Sequence, residues 1–437
     1  MGRRPTLLLG LGLNSAAGLL SALVPGFYSL CFLRFLAGLG VGAILSSLVT
    51  LATESSPPSK RGRNVAFVGC FFTFGTVYVA LLALWFYGGN PTEKVISWRI
   101  FVALCALPSF LGTVMVYIYV PESARFLALQ HRHAEATKIA NHIGYAMGFR
   151  GQELEESEIQ YHHSSYRPYH TTRNPAISFT VLKQITSIAM ASISKLYTPE
   201  ILPKTLTLQV VWMTLSFGAG LSTWINVVLK KMQVSNLYYN ALYYSLASIP
   251  GNLAAAYFMD RMGRKTLMAF GMLGASMSLL YFSKVASDFM NTEIPNNDTN
   301  ASIATLCACI FHAFVVIAWG TVNVITSESF PTEVRSTGLG VCAASARMIA
   351  MFVQYVNGAL VDQPDVLLRI SSIAMLIGAL FSMTLRDTSF KPLKDEISFM
   401  NGNGKDYRNL DHREDDYDEL IKNGNIEMKD DTNVDFV

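Results

Sequence analysis

The chain has 437 residues, of which 51% are hydrophobic and only 15% are charged, with a formal net charge of +3. A soluble globular protein carries about 25% charged residues, so this composition favours a membrane protein with several spanning segments. The small net charge gives no indication of nucleic-acid binding. All six cysteines lie in apolar stretches, so no disulfide framework or zinc-ligand spacing is predicted.

The apolar segments are long enough to cross a bilayer, whose core of about 30 Å takes roughly 20 helical residues. Residues 1–24 are interpreted as a span rather than a signal peptide, because the run is too long and has no small-residue cleavage site. The rest of the chain leaves no room for a soluble catalytic domain, so no enzyme is expected. The ten predicted spans are 5–24, 28–53, 64–87, 99–120, 206–229, 237–258, 266–285, 303–326, 338–360 and 366–385.

Basic residues predict the orientation, since they concentrate in loops on the cytosolic side. Loops 54–63, 121–205, 259–265 and 327–337 are therefore assigned to the cytosol, with the tail from residue 386. The loop 286–302 has no Lys or Arg and is placed outside. It carries two N-glycosylation sequons, at Asn297 and Asn300.

Four regions follow from this topology: a transmembrane part of four helices (1–120), a cytosolic loop (121–205), a transmembrane part of six helices (206–385) and an acidic tail (386–437). The loop is predicted to begin with an amphipathic helix around Glu122–Ile143. Its histidines are interpreted as part of a solvated linker rather than a metal site, and no metal or cofactor is predicted. The tail is predicted to be disordered. Its segment Asp416–Ile421 matches sorting signals read by adaptors, a pattern that also recurs by chance.

Three phrases recur in the same order in both transmembrane parts, which predicts a duplication. The segment Met1–Gly10 resembles Met262–Gly271, and the pattern E-S-x-P-x-x-x-R occurs at Glu54–Arg61 and at Glu328–Arg335. A weaker echo relates Pro121-Glu122-Ser123 to Arg386-Asp387-Thr388. The second copy of the first phrase follows two apolar spans, and the first copy follows none.

These phrases make the chain resemble the major facilitator superfamily, in the branch of sugar porters, organic cation and anion transporters and synaptic-vesicle two-related transporters. The matching motifs are D-R-x-G-R-K at 260–265, Arg34 with Gly38, Gly40 and Gly42, and Pro121–Leu127. The resemblance implies an all-α twelve-helix fold, of which the ten spans correspond to helices three to twelve. A fragment, a mispredicted start and a true short form all remain open as explanations.

The sequence departs from this family pattern at two places. Residues 218–220 read Gly-Ala-Gly where vesicle-related members often carry Tyr-Tyr-Gly, which puts an aromatic substrate contact in doubt. The family's closing Pro-Glu-Ser is reduced to Arg386-Asp387-Thr388. We expect that change to weaken the cytosolic charge network.

Charged residues in the cytosolic loops predict a gate that latches the two halves together and releases when they rock. The alternative is a set of exposed ion pairs worth about 0–1 kcal/mol each, but the repeated spacing favours a latch. Glu54, Glu122, Asp260 and Glu328 are predicted to pair with Arg61, Arg125, Arg264 and Arg335, respectively. The predicted gate also includes Arg3, Arg4 and Arg261.

Two arginines lie inside predicted spans, where charge is costly and indicates function. Arg347 resembles an arginine of organic anion transporters and is predicted to attract an anionic substrate or counter-ion; pairing with a carbonyl or carboxylate elsewhere is the equal alternative. Arg34 resembles a coupling arginine of proton-linked sugar porters, but without the acid of helix one it can instead snorkel. The further cavity candidates, many of which could equally anchor the membrane interface, are Gln209, Trp212, Asn226, Tyr243, Tyr244, Asn252, Trp319, Asn323, Gln354 and Tyr355.

The sequence thus predicts a secondary active or facilitative transporter for a small organic ion or metabolite, with an anion slightly favoured. The alternative is a non-transporting vesicle glycoprotein or scaffold, or an inactive truncated transporter. Its partners would be the bilayer, the substrate, protons or another coupling ion, and sorting adaptors, without nucleic acid. It would reside in the plasma membrane or in a vesicle or endosomal membrane.

Overall fold

The computed structural model describes residues 2–57, 61–88, 97–146, 153–157, 190–232, 237–291, 297–332, 334–385 and 387–388. Every regular element in these ranges is a helix. Helices are the natural form for apolar segments in a bilayer, because they satisfy their backbone hydrogen bonds internally. The histidine-rich part of the central loop and the segment Asp416–Ile421 lie outside the described residues.

The first transmembrane part consists of four long helices. Each is built on an apolar run, and the fourth is capped by Ser97, whose hydroxyl accepts a hydrogen bond from the backbone N–H of Arg99 at 3.4 Å. A proline, Pro108, lies within this helix. The helices are α1 (Arg3–Leu20), α2 (Phe27–Glu54), α3 (Arg61–Tyr87) and α4 (Trp98–Tyr119).

The amphipathic helix predicted around Glu122–Ile143 is divided in the structure into α5 (Ala124–Leu129) and α6 (His133–Ala146). The division falls at His131, whose φ of 58° is left-handed and cannot continue a helix. The two short helices pack against each other through Leu127 and Ala136, and so form a small core of their own.

The second transmembrane part contains two broken segments. The predicted span 237–258 is divided near Ala247, because Pro250 has no N–H to donate to the carbonyl one turn earlier. The predicted span 206–229 bends by 50° after a 3₁₀ turn. The helices are α7 (Leu202–Ala219), the 3₁₀ turn Gly220–Thr223, α8 (Ile225–Lys231), α9 (Leu237–Leu246), α10 (Ser248–Phe258), α11 (Arg264–Asn291), α12 (Asn297–Ser329), α13 (Arg335–Ala359) and α14 (Pro364–Ser382).

Seven of the described helices are long and apolar enough to cross a membrane, or eight if the bent pair around residue 224 is one span. The other two predicted spans, 5–24 and 237–258, are helical but do not reach this length and hydropathy. The predicted outer loop 286–302 is shorter than expected, since α11 extends to Asn291 and α12 begins at Asn297. Both sequon asparagines therefore have helical backbone.

The two halves meet along two seams. One seam joins α3 to α9 and α10, where Asn252 donates a hydrogen bond to Thr73 and Tyr87 stacks on Tyr238 with ring centroids 6.2 Å apart. The other joins α2 to α13. The main hydrophobic core lies in the second half, among α7, α11, α12 and α14.

Within the first half, α1 and α2 approach closely at Gly10 and Gly40. A Cβ atom on Gly40 would lie 2.6 Å from the carbonyl oxygen of Gly10. Of the three motif glycines, Gly38, Gly40 and Gly42, only Gly40 would bring a Cβ atom within 4 Å of another helix. The close approach therefore depends on one position of the three.

We expect Gly40→Ala to destabilise the protein by about 1–3 kcal/mol, because the new methyl group meets fixed backbone. Gly42→Ala is the matched control, since it adds the same methyl group on the same helix in open space. Thermal unfolding in detergent should give a lower midpoint for Gly40→Ala than for Gly42→Ala. Equal midpoints would contradict the close approach.

Candidate functional site

Two buried carboxylates, Glu54 and Glu328, lie at the same end of the bundle, where α2 and α12 terminate. Helix carbonyls and the negative end of the macrodipole make this a poor place for a carboxylate. Cations from other helices compensate for it, and they are the first residues of α1, α3, α11 and α13. We call this region the charged end; its defining residues are Arg3, Glu54, Arg61, Arg264, Glu328 and Arg335.

Glu54 is held by two arginines and one hydroxyl. Its Oε1 lies 2.9 Å from Arg335 Nη1 and 3.3 Å from Arg3 Nη2. The hydroxyl of Ser123 donates to Oε2 at 2.5 Å. The side chains of Glu54 and Arg335 are both fully buried, so the pair that joins the two halves is shielded from water.

Glu328, like Glu54, is held by two arginines and one hydroxyl. Its Oε2 lies 2.8 Å from Arg264 Nε, and its Oε1 lies 3.7 Å from Arg61 Nη1. The hydroxyl of Thr388 donates to Oε2 at 2.6 Å. Asp260 also pairs with Arg264, at 3.2 Å.

The two loops that carry the repeated E-S-x-P-x-x-x-R pattern form ion pairs with each other. The sequence paired Glu54 with Arg61 and Glu328 with Arg335, but each carboxylate instead contacts the arginine of the other loop. A two-fold relation between halves produces this reciprocal pattern, and it also brings equivalent positions together on the axis. Thr53 and Ser327 are such positions, and their hydroxyls are 3.0 Å apart.

Two other predicted gate residues, Glu122 and Arg4, contact the ends of helices. Glu122 Oε1 accepts hydrogen bonds from the backbone N–H groups of Arg3 at 2.9 Å and Arg4 at 3.1 Å, an arrangement that the dipole of α1 favours. The guanidinium of Arg4 donates to the carbonyl of Tyr117 at 2.8 Å. Arg125 lies in the first turn of α5. Glu122, which the sequence paired with Arg125, thus caps α1.

Asp387 and Thr388 join the network although the sequence predicted a weaker contribution from this segment. Asp387 Oδ1 accepts the backbone N–H of Arg264 at 3.2 Å, as Glu122 does for Arg3. Thr388 donates to Glu328 as Ser123 donates to Glu54. Ser123, Thr53, Ser327 and Thr388 had not been assigned roles, although the internal repeat contained the signal for them.

Burial determines the energetics of this cluster. For buried ion pairs, the cost of desolvation can cancel the attraction, so the intact cluster contributes little net stability. Removal of one partner is different, because it leaves a charge buried without compensation. The cluster therefore determines the relative position of the two halves more than it adds to the free energy of unfolding.

Several of the side chains predicted to line a cavity form hydrogen bonds or ring contacts within the protein. Trp212 is buried and donates from Nε1 to Thr326 at 2.8 Å. Tyr244 donates to Ser222 at 2.7 Å and stacks on His312 with ring centroids 4.1 Å apart. Other candidates make comparable contacts: Gln209 with Tyr197, Asn252 with Thr73, Asn323 with the carbonyl of Trp319, and Gln354 with Trp224.

Most of the other candidate side chains are exposed. Tyr243 is 52% exposed and Tyr355 is 79% exposed, and Arg34 and Arg347 are exposed as well. Within the described part of the chain, Arg347 makes no hydrogen bond or ion pair. Asn226 Oδ1 is buried without a hydrogen-bond donor from the described residues. Arg347 is thus an exposed cation without a counter-charge among the described residues.

Comparison with known proteins is consistent across sequence and structure. A family model described as "Sugar (and other) transporter" matches residues 1–385. The chain is 26% identical to the niacin transporter NiaP of Acinetobacter baylyi over 79% of this chain and 70% of that protein. It is 22% identical to human synaptic vesicle glycoprotein 2C, with 89% and 70% covered, and 29% identical to organic cation/carnitine transporter 7 of Arabidopsis thaliana, with 91% and 81% covered.

Among solved structures, the proton:xylose symporter XylE of the major facilitator superfamily, bound to 6-bromo-6-deoxy-D-glucose, aligns with a TM-score of 0.68 at 19% identity. The alignment covers 90% of this chain and 82% of XylE. A second XylE structure, described as inward open and from E. coli, aligns with a TM-score of 0.55. These alignments show that the fold is shared.

We expect Glu54→Gln to destabilise the protein by about 3–5 kcal/mol, because Arg3 and Arg335 then lose their buried counter-charge. Glu135→Gln is the control, since Glu135 is 57% exposed in its pair with Arg132 and should cost about 0–1 kcal/mol. Thermal unfolding of both variants in the same detergent tests the difference. Similar losses would contradict the importance of burial.

Proposed function

The chain belongs to the sugar (and other) transporter family, with the fold of the major facilitator superfamily, and we propose that it carries a small organic ion or metabolite by alternating access. It is a multi-pass membrane protein of a transporter family. The observation that supports the proposal is the charged end, where two reciprocal ion pairs and the Thr53–Ser327 contact join the halves.

Alternating access requires a contact that can open. In this structure the charged end is closed by buried pairs between the halves. Rocking of the halves would separate Glu54 from Arg335 and Glu328 from Arg61 and expose all four to water. Because hydration then replaces the lost attraction, the closed and open states can have similar free energies. Such a balance suits a contact that must open in every cycle.

The charge of Arg347 bears on the charge of the substrate. Arg347 lies in the middle of α13, is exposed and has no partner among the described residues. An unpaired cation at membrane depth favours an anionic substrate or counter-ion. The names of the relatives include niacin, organic cations and carnitine, so the family itself permits more than one kind of cargo.

A non-transporting membrane glycoprotein is the second candidate. The likeness to human synaptic vesicle glycoprotein 2C over 89% of this chain and the sequons at Asn297 and Asn300 support the glycoprotein part of this candidate. We place the protein in the plasma membrane or in a vesicle or endosomal membrane. Protons or another ion would couple transport, and adaptors would read Asp416–Ile421. Transport measurements separate the two candidates directly.

Counterflow in reconstituted vesicles tests transport, with radiolabelled niacin, carnitine and xylose as probes. We expect flux of at least one probe, and a loss of at least tenfold when Thr53→Cys and Ser327→Cys are oxidised to a disulfide across the closed end. Reduction should restore the flux. The absence of flux for every probe would favour the glycoprotein, and unchanged flux in the cross-linked protein would contradict alternating access at this end.

We expect Arg347→Gln to reduce uptake of an anionic probe at least tenfold, because an unpaired cation at membrane depth is lost. Arg347→Lys keeps the charge and should retain part of the uptake. Lys284→Gln removes an exposed cation from α11 and serves as the control. Unchanged anion uptake by Arg347→Gln would exclude the assigned role, whatever the behaviour of the cross-linked variant.

A further inference from the structure

A groove runs along the seam between the halves, next to the charged end but outside it. Its volume is about 540 Å³, and it lies between α3 and α10. Its lining is mainly apolar, and Phe67, Leu253 and Tyr257 are 60%, 61% and 55% exposed. The residues that matter here are Arg63, Phe67 and Val68 on α3, and Leu253, Ala256 and Tyr257 on α10.

The groove has a polar rim and an apolar floor. Arg63 lies near the start of α3 and Phe67 one turn further along; α10 runs the other way, from Leu253 through Tyr257 to Arg261 just beyond its end. The guanidinium of Arg261 lies 4.0 Å from the centre of the Tyr257 ring and donates to its hydroxyl. Both arginines therefore belong to the rim at the charged end.

These two arginines carry positive charge that the described residues do not neutralise. Both are exposed, and neither side chain forms an ion pair with a described carboxylate. The nearby carboxylate of Asp260 is already engaged, since it pairs with Arg264 at 3.2 Å and accepts the backbone N–H of Arg63 at 2.8 Å. The rim thus presents two exposed positive charges.

We propose that this groove binds one anionic phospholipid, with its phosphate between Arg63 and Arg261 and an acyl chain along Phe67 and Leu253. An apolar channel that ends in two cations matches the shape and polarity of such a lipid. The sequence predicts this end to be cytosolic, and basic pockets between helices on that side bind anionic headgroups. A small water-soluble anion would leave the exposed apolar floor uncovered.

The lipid would bridge the two halves, because Arg63 belongs to the first half and Arg261 to the second. It would lie next to Arg264, Asp260 and the buried pairs of the charged end. Bound lipid would therefore favour the closed arrangement at this end. This inference concerns lipid binding and does not require that the chain transports a solute.

Native mass spectrometry of the full chain from nanodiscs tests the proposal, with phosphatidylglycerol and phosphatidylcholine as competing probes. We expect preferential retention of one phosphatidylglycerol. Each arginine near an anionic headgroup contributes about fivefold in affinity, so Arg63→Gln with Arg261→Gln should lose about 25-fold. Arg132→Gln, an exposed cation outside the groove, is the control and should retain the preference.

Equal retention of the two lipids by the unaltered chain would overturn the proposal. An unchanged preference in the double variant would do the same, as would an equal loss in Arg132→Gln. A photoactivatable phosphatidylglycerol gives a test that needs no variant: it should label α10 between Leu253 and Tyr257. Labelling spread over all the helices would show ordinary contact with bulk lipid and would contradict a site.

Discussion

The structure depends on the compensation of two carboxylates that lie buried at the carboxyl ends of helices. Glu54 and Glu328 stand where the helix dipole and free carbonyls already make the potential negative. Arginines neutralise these carboxylates and also donate hydrogen bonds to backbone carbonyls nearby. Arg335 pairs with Glu54 and donates from Nε to the carbonyl of Ser327 at 2.8 Å, while Arg3 pairs with Glu54 and donates to the carbonyl of Thr332 at 2.8 Å.

This requirement links the two halves with a fixed register. Each carboxylate pairs with one arginine of its own half and one of the other, so the contacts between the halves complete the compensation at this end. The two-fold exchange then fixes the position of the axis, which passes near Thr53 and Ser327. Burial raises the penalty for a wrong pairing, whereas the intact pairing adds little to stability. The cost of burying these charges therefore explains both why the halves pair in one register and why the contact between them can open.

The sequence predicted the long apolar helices and the charged residues of this end because both leave local patterns. It did not predict which arginine pairs with which carboxylate, since partners in the other half lie hundreds of positions away. The break near Ala247 was missed although Pro250 signalled it. Nor did the sequence predict the contacts of the cavity candidates: Trp212 and Tyr244 each donate a hydrogen bond within the fold, to residues far from them in sequence.

The weakest of the three internal echoes is the most informative in three dimensions. Asp387 and Thr388 share little sequence with Glu122 and Ser123, yet each pair supplies one carboxylate for a helix N-terminus and one hydroxyl for the buried glutamate. A threonine hydroxyl donates as a serine hydroxyl does, and an aspartate can accept a backbone N–H as a glutamate can. The duplication has therefore preserved the hydrogen-bonding roles at this end more closely than the residues that perform them.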